Sequence, residues 1–202
     1  GRPDDALAAC LSACRAEPRN PSPGSLLAEL AAKVGLTAAG LKQRFGATTA
    51  PVTAGELFGE TLLASDNAPE EALALIEGCV GMAQPDVDLY RVASLIQERN
   101  GHPKAALAYL EKALELDQSD AILFDKARLL IELDKHRDAA ALCDKALAVG
   151  TEFDAAFACQ RAKAALNLCE HDLARKLVAR YEAQVFSQFG MGSMMTGIEV
   201  YC

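Results

Sequence analysis

Short amphipathic segments recur along this chain, with the pattern of apolar and polar positions expected of surface helices. The first, DDALAACLSACRAEP, begins with small and charged residues and ends at a proline. Similar segments begin at Pro69, Pro103, His136 and His171. Each has a small residue near its start and, seven residues later, a second position that is usually small. The pattern predicts a series of α-helices, each packed through one face.

The small residues that open these segments recur at a regular interval. They are Ala6, Ala72, Ala106, Ala139 and Ala174. The last four are spaced by 34, 33 and 35 residues, and the first gap is 66 residues, which is twice 33. The missing member of the series falls at Ala39, within GLTAAGLKQRFG. Pro18 and Pro51 each follow a member of the series by twelve residues, so the proline that ends a helix repeats as well.

A period of about 34 residues with two helices per unit resembles the tetratricopeptide repeat (TPR) family. The resemblance is strongest in NGHPKAALAYLEKALELDQSD and LDKHRDAAALCDKALAVGT. It implies an all-α fold, a right-handed superhelical solenoid of antiparallel helix hairpins. Two helices cannot bury both of their apolar faces alone, so each hairpin stacks on the next. The small residues are expected where helices cross most closely.

The resemblance also predicts how the chain is divided. We expect a TPR array over 1–185, made of a leading half-repeat at 1–20 and five full repeats. The repeats are expected at 21–52, 53–86, 87–119, 120–153 and 154–185. The apolar segment 186–202 departs from the pattern, with two Phe, three Met and no basic residue. We expect it to cap the last repeat, or else to dock into the groove of another copy.

Composition favours helices and argues against nucleic-acid binding. Aromatic residues make up only 5% of the chain and Trp is absent, a mix that favours helix over sheet. Lys and Arg number 20 against 28 Asp and Glu, so the formal net charge is −8. An acidic chain repels phosphate groups, and we therefore expect neither a nucleic-acid partner nor an anionic membrane surface. No apolar run reaches the length of a membrane-spanning helix.

The seven cysteines lack the compact spacing of a disulfide framework. Their odd number favours free thiols in a reducing compartment, so the expected location is cytoplasmic. Cys10 and Cys14 lie one helical turn apart. Without further ligands nearby, we expect them to be small apolar helix residues and not a metal site.

The three histidines also carry no metal prediction. His102, His136 and His171 each follow the turn of their own repeat. Neighbouring repeats stack about 8–10 Å apart, whereas zinc ligands converge within about 2.1 Å of one ion. No nucleophile, base and orienting group can be assembled, and no glycine-rich phosphate loop is present. We expect no enzyme activity, cofactor or metal.

The family resemblance implies a binding surface, because the first helix of each hairpin lines the concave groove of a TPR array. Counting back 18, 15, 11 and 8 residues from each small residue identifies the groove-facing positions. The candidate peptide-binding residues are Leu57, Arg91, Leu95, Phe124, Arg128, Ile131, Cys159, Lys163 and Leu166. The apolar side chains would anchor a peptide, and the three cations would bind an acidic group or a free carboxyl terminus. Alternatively, the cations solvate the helix face or pair with Asp88 and Glu98.

We therefore expect a non-catalytic scaffold, adaptor or chaperone-like module that holds a protein or peptide segment. Self-association through the 186–202 segment is a further expectation. An alternative is the substrate-docking arm of a larger enzyme with its catalytic domain upstream. This alternative is motivated by Gly1, which occupies the place of the turn within the first repeat.

A second alternative is a DNA-binding regulator. The stretch 26–45, LLAELAAKVGLTAAGLKQRF, is similar to a bacterial helix-turn-helix, with Gly35 in the turn and Thr37 as the helix cap. Its second helix carries Lys42, Gln43 and Arg44, which could enter a major groove. The acidic charge of the chain and the in-phase Ala39 and Pro51 favour the repeat instead.

Overall fold

The computed structural model describes residues 3–45 and 52–189, and all of the regular structure within these ranges is α-helical. The helices are α1 (Pro3–Ala16), α2 (Pro23–Lys33), α3 (Ala38–Phe45), α4 (Ala54–Ala64), α5 (Pro69–Met82), α6 (Val87–Arg99), α7 (Pro103–Leu116), α8 (Asp120–Glu132), α9 (His136–Val149), α10 (Asp154–Asn167) and α11 (His171–Phe189). The prediction of an all-α fold is confirmed. Gly1, Pro51 and the segment 190–202, with Cys202, lie outside the described residues.

Local sequence explains where many of these helices begin. Proline occupies the first turn of α2, α5 and α7, where its missing N–H costs nothing. Thr53 begins α4 with a capping box: its side chain accepts a hydrogen bond from the Glu56 backbone N–H, and Glu56 accepts one from the Thr53 N–H. The Asp86 carboxylate accepts a hydrogen bond from the Leu89 N–H at 2.9 Å and begins α6.

The chain forms two compact units, Gly1–Asp117 and Gln118–Cys202, called unit 1 and unit 2. In unit 1, α4 pairs with α5 and α6 with α7. In unit 2, α8 pairs with α9 and α10 with α11, and the first helices α8 and α10 also pack on each other. Short connections make each pair an antiparallel hairpin. The predicted array of helix hairpins is therefore confirmed.

The repeated small residues occupy the tightest places in these hairpins. Ala72, Ala106, Ala139 and Ala174 are all fully buried. Each lies near the start of a second helix, where a larger side chain would separate the two helices of the pair. At these positions the predicted phase of the repeat is correct.

The segment from α2 to α3 is not the antiparallel hairpin that the repeat predicts. The chain turns by 96° between the two helices, whereas an antiparallel pair requires a turn near 180°. Ala39 is exposed and its neighbour Ala38 is buried, while Ala6 is only half-buried. The expected phase is wrong at these two positions. In place of a hairpin, α2 packs against α1 and α4, and α3 packs against α4.

Three glycines explain why α2 lies on α4. A side chain at Gly24 would collide with the backbone of Gly55, and its Cβ would lie 2.8 Å from the backbone nitrogen of Gly59. In return, a Cβ at Gly59 would lie 3.0 Å from the Gly24 carbonyl oxygen. Gly59 faces α2, whereas a Cβ at Gly55, one turn earlier on α4, would lie 2.7 Å from the Cys14 sulfur of α1. Only glycine permits this backbone contact, and the contact determines the position of α2.

The connections at one end of unit 1 are joined by backbone hydrogen bonds. The Ala54 N–H donates to the Pro18 carbonyl oxygen at 2.8 Å, and the Gln84 N–H donates to the Arg19 carbonyl oxygen at 2.7 Å. The α1–α2 connection is thereby attached to the start of α4 and to the α5–α6 connection. Pro18 follows the end of α1 at Ala16, so its carbonyl oxygen lies outside the helix, where it accepts this hydrogen bond.

Candidate functional site

The predicted groove positions differ from helix to helix within unit 1. On α4, Ala54, Thr61 and Ala64 are buried, so they offer no surface to a ligand. Leu57 is half-buried in the core of α4 and α5, where it lies next to Gly78. This part of the predicted groove is filled by the protein itself.

The first-helix face of α6 is open. Leu95 is 43% exposed, and it lies one helical turn from both Arg91 and Glu98, which are half-buried. Asp88 is exposed at the start of the same face. Leu95 thus lies between one cation and one carboxylate, and the second carboxylate, Asp88, is about two turns away. This combination can take an apolar anchor with a charged group beside it.

In unit 2, the predicted positions lie on the neighbouring helices α8 and α10. Phe124, Arg128 and Ile131 are half-buried on α8, and the Phe124 ring meets Phe157 of α10 edge to face, with 6.1 Å between the ring centroids. On α10, Lys163 is exposed.

The rest of the α10 face is less open. Leu166 is half-buried and Cys159 is buried. Arg128 and Lys163 both precede the small residue of their repeat by eleven positions, so they occupy equivalent places on α8 and α10. Packed helices lie about 8–10 Å apart. We name the surface of Phe124, Arg128, Ile131, Lys163 and Leu166 the unit 2 face.

Unit 2 also contains a buried arginine, on α10, that the sequence analysis missed. Arg161 is 6% exposed. Its guanidinium donates to Asp144 of α9 at 2.9 Å and to Glu170 before α11 at 3.0 Å. Burial alone would lower the pKa of Arg161, but the hydrogen bonds to Glu170 and Asp144 outweigh burial and raise that pKa. The sequence feature that could have indicated its burial is a single arginine within the alanine-rich run DAAFACQRAKAAL.

Two tyrosines and a lysine form a second polar cluster outside the predicted groove. Tyr90 of α6 stacks on Tyr109 of α7 with 6.4 Å between ring centroids. The Lys112 ammonium lies 5.2 Å from the Tyr109 ring and 5.7 Å from the Tyr90 ring. Burial, with the nearby Glu77 and Tyr90, raises the pKa of Tyr109. This cation–π arrangement joins the two helices of one hairpin.

Three of the buried thiols are poorly suited to nucleophilic chemistry. Burial raises the pKa of Cys14 to about 11 and the pKa values of Cys79 and Cys143 to about 12, so these thiols are protonated at neutral pH. Over residues 3–45 and 52–189, no three His, Cys, Asp or Glu side chains form a group that could hold a metal ion. The expected absence of enzyme activity, cofactor and metal remains a prediction.

The α2–α3 segment has the angle of a helix-turn-helix, with Gly35 at φ +71° in its turn. The Thr37 hydroxyl accepts a hydrogen bond from the Gly40 N–H at 3.1 Å and caps α3. Its basic side chains, however, face carboxylates of the same chain. The Lys42 ammonium nitrogen lies 3.0 Å from a carboxylate oxygen of Glu60, and a guanidinium nitrogen of Arg44 lies 2.7 Å from a carboxylate oxygen of Asp4. These ion pairs reduce the positive potential that α3 could present to a phosphate backbone.

In the part of the chain that the structure describes, no single helix is both long and apolar enough to cross a membrane. Together, α2 and α3 reach that length and composition, but only across their 96° bend.

The sequence matches no protein-family model, and it matches no curated protein. Solved structures do match. The crystal structure of YrrB, described as a TPR protein with an unusual peptide-binding site, is 16% identical with a TM-score of 0.67, covering 96% of this chain and 98% of YrrB. PilW, a type IV pilus biogenesis factor, is 16% identical with a TM-score of 0.62, covering 97% of this chain and 90% of PilW. MamA is 14% identical with a TM-score of 0.58, covering 94% of this chain and 92% of MamA.

Such low identities establish the fold and nothing finer. The matches extend over nearly the whole chain, and the matched proteins are TPR proteins. This chain therefore has the tetratricopeptide repeat fold, as its 34-residue period predicts.

Proposed function

We propose that this chain is a non-catalytic protein-interaction module that holds a peptide or protein segment on the first-helix faces of its hairpins. The observation that carries the proposal is the unit 2 face. There, two cations at equivalent repeat positions, Arg128 and Lys163, accompany the apolar side chains of Phe124, Ile131 and Leu166. The peptide-binding site in the description of YrrB supports this use of the fold.

The chemistry of this face supports an acidic peptide as the ligand. Two cations about one helix spacing apart suit two carboxylate groups, such as an acidic side chain and a free carboxyl terminus. The half-buried apolar side chains beside them, one helical turn away on the same helices, provide anchors that bury further on binding. The α6 face of Leu95 and Arg91 is a second, separate contact in unit 1 under the same proposal. A scaffold, adaptor or chaperone-like role follows from such holding without chemistry.

DNA binding is the weaker candidate. The 96° angle between α2 and α3 favours it, but Lys42 and Arg44 already pair with Glu60 and Asp4. We expect no shift of duplex DNA in a gel assay, even at low salt. A salt-dependent shift that the double variant Lys42→Glu/Arg44→Glu abolishes would establish this candidate instead.

The main test is a peptide library with varied acidic content and free carboxyl termini, screened against the full chain. We expect selected peptides to combine apolar residues with at least one carboxylate. The triple variant Arg91→Glu/Arg128→Glu/Lys163→Glu should weaken their binding at least tenfold, measured by calorimetry.

A matched control separates the effect of the three groove cations from the effect of the changed net charge. The variant Lys104→Glu/Lys145→Glu/Lys176→Glu makes the same change of charge at exposed positions on second helices. It should leave peptide affinity within about twofold of the wild type. Equal losses in both triple variants would show that binding follows net charge and not these faces.

A further inference from the structure

The exposed side of α5 is acidic and smooth. It carries Glu70, Glu71 and Glu77, and α5 contains no basic residue. Gly78 and Gly81 are exposed on the same side, and a Cβ at Gly81 would meet nothing within 4 Å. Because neither glycine projects a side chain, a second helix can come close to the backbone of α5 here. We name this surface the acidic face; it consists of Glu70, Glu71, Ala74, Glu77, Gly78 and Gly81.

The exposed side of α11 has the opposite charge. Its described side chains, 171–181, expose Arg175, Lys176 and Arg180 against a single acid, Asp172. A carboxylate oxygen of Asp172 lies 3.6 Å from a guanidinium nitrogen of Arg175. Lys176 and Arg180, one turn apart on the same side, have no acidic partner among the described residues. We name this surface the basic face; it consists of Leu173, Arg175, Lys176, Ala179 and Arg180.

The two second helices between α5 and α11 are balanced in charge. On α7, two basic and two acidic residues are exposed, namely Lys104, Lys112, Glu111 and Glu115. On α9 there are again two of each, namely Arg137, Lys145, Asp138 and Asp144. Concentration of one sign is therefore not a general property of second helices in this chain, and it distinguishes α5 and α11.

We propose that the basic face of one copy of this chain binds the acidic face of a second copy. The observation that carries the proposal is charge complementarity. The acidic face has three carboxylates and no cation, and the basic face has three cations, two of them without an acidic partner among the described residues. Both faces belong to one chain, so each is present wherever the other is. The contact joins two different surfaces and is heterologous, and it goes beyond the proposed function, which concerns the first helices.

An antiparallel alignment of the two helices brings each free cation near a carboxylate. With the start of α11 at the end of α5, Lys176 falls beside Glu77. Arg180, one turn further along α11, then falls between Glu77 and Glu71. At a rise of about 1.5 Å per residue, the two cations lie about 6 Å apart and the two acids about 9 Å apart along their axes. Long, flexible basic side chains span the difference.

The same alignment matches the apolar ends of the two faces. Leu173 at the start of α11 is 36% exposed, and Met82 at the end of α5 is 37% exposed, so their contact would remove apolar surface from water. The alignment also keeps Asp172 away from Glu70 at the start of α5. A parallel alignment would place these two carboxylates side by side and would align the helix dipoles unfavourably.

Such a contact is weak and sensitive to salt, because exposed ion pairs each contribute little and dissolved ions screen them. We expect reversible self-association of the full chain at high protein concentration and low salt. Sedimentation velocity over a concentration series measures it, and added salt should reverse it.

Charge-swap variants test which faces are in contact. Glu71→Lys/Glu77→Lys makes the acidic face basic, and Lys176→Glu/Arg180→Glu makes the basic face acidic. In either variant alone, both faces carry charge of the same sign, so self-association should weaken at least about tenfold. In an equimolar mixture, each altered face meets the opposite charge on the other chain. Association should then return to within about threefold of the wild type, a recovery that unfolded chains cannot produce.

Matched controls make the same changes of net charge outside both faces. They are Glu115→Lys/Glu132→Lys and Lys104→Glu/Lys145→Glu, all at exposed positions, and both should associate like the wild type. Glu77 also accepts a hydrogen bond from Gln97 at 3.3 Å. If thermal melting shows that Glu71→Lys/Glu77→Lys is destabilised, Glu70→Lys/Glu71→Lys replaces it.

Four results would overturn the proposal. A wild-type chain that stays monomeric at low salt up to its solubility limit has no such contact. Self-association that neither charge-swap variant weakens uses another surface, such as the 186–202 segment. Losses in both variants without recovery in the mixture show that the two faces do not bind each other. Equal losses in the control variants attribute the effect to net charge.

Discussion

At the scale of single residues, the charges inside this protein have different effects on its stability. Arg161 is buried but meets two carboxylates, whose side chains are 58% and 43% exposed. Glu60 is buried beside a single lysine. A buried charge is tolerated when its hydrogen bonds replace its lost hydration, and it is costly otherwise. The two residues therefore predict opposite results on substitution.

Arg161→Ala should lower the free energy of unfolding by about 2 kcal/mol, because two charge-assisted hydrogen bonds are lost and a buried stem is removed. Urea denaturation measures this change. Arg175→Ala is the control, since Arg175 pairs with Asp172 at 3.6 Å on the surface. Its effect should stay below about 0.5 kcal/mol. Equal effects would contradict the structural role of Arg161.

Glu60 predicts a specific dependence of stability on pH. Burial raises the pKa of Glu60, although Lys42 opposes the rise. A carboxyl group whose pKa is higher in the folded state destabilises the fold as pH rises from its ordinary pKa of 4.5 through the raised value. Between pH 4 and 7, Glu60→Gln should therefore lose less stability, or gain more, than the wild type in urea denaturation.

Glu29 provides the control of opposite sign. Its hydrogen bond with Lys33 lowers the pKa of Glu29, so ionisation of Glu29 adds stability as pH rises. Glu29→Gln should gain less stability than the wild type over the same range. If Glu60→Gln and Glu29→Gln shift the pH profile in the same direction, the assignment of Glu60 is wrong.

At the scale of helices, the contact of α2 with α4 is the most demanding packing in unit 1. It brings two backbones together at Gly24, Gly55 and Gly59, and it replaces the hairpin that the repeat predicts for α2 and α3. The cause is steric, because any side chain at the crossing would move the helices apart.

Gly24→Ala should destabilise the protein by about 3 kcal/mol, since the added methyl group meets backbone atoms that cannot rotate away. Chemical denaturation followed by circular dichroism measures this. Gly81→Ala is the matched change, because a Cβ at Gly81 of α5 meets nothing within 4 Å. There the higher helix propensity of alanine should stabilise by about 0.5–1 kcal/mol. Destabilisation by both would indicate a general cost of alanine in place of glycine.

At the scale of the whole molecule, both units contain buried small residues between paired helices, at corresponding positions of the repeat. Ala113, on α7 in unit 1, is fully buried, whereas Ala108 of the same helix is exposed. A repeat protein is stabilised mainly by contacts between neighbouring helices. A charge placed between two helices therefore acts on the fold as a whole.

Ala113→Asp should abolish or severely weaken cooperative unfolding, because an unpaired carboxylate at this buried position costs at least about 3 kcal/mol. Thermal melting followed by circular dichroism is the measurement. Ala108→Asp, five residues away on the exposed side of α7, should cost less than about 1 kcal/mol. A melting curve of Ala113→Asp that matches the wild type would refute the predicted phase of the repeat.

The sequence alone determined the all-α class, the 34-residue period and the burial of four small residues, Ala72, Ala106, Ala139 and Ala174. These properties are local: the spacing of small and apolar residues along a helix states which face must be buried. The same count placed the predicted ligand-facing positions on α4, α6, α8 and α10, and their role in binding remains a prediction.

Only the tertiary structure decided the position of α2, the filled surface of α4 and the pairing of Arg161. Each depends on residues far apart in the chain, such as Gly24 with Gly55 or Arg161 with Asp144. A period predicts which neighbour a regular repeat would have, but it cannot anticipate a closer partner elsewhere. Where glycines allow α2 to reach α4, the two backbones come into contact and α2 packs on α4 instead of forming a regular hairpin with α3.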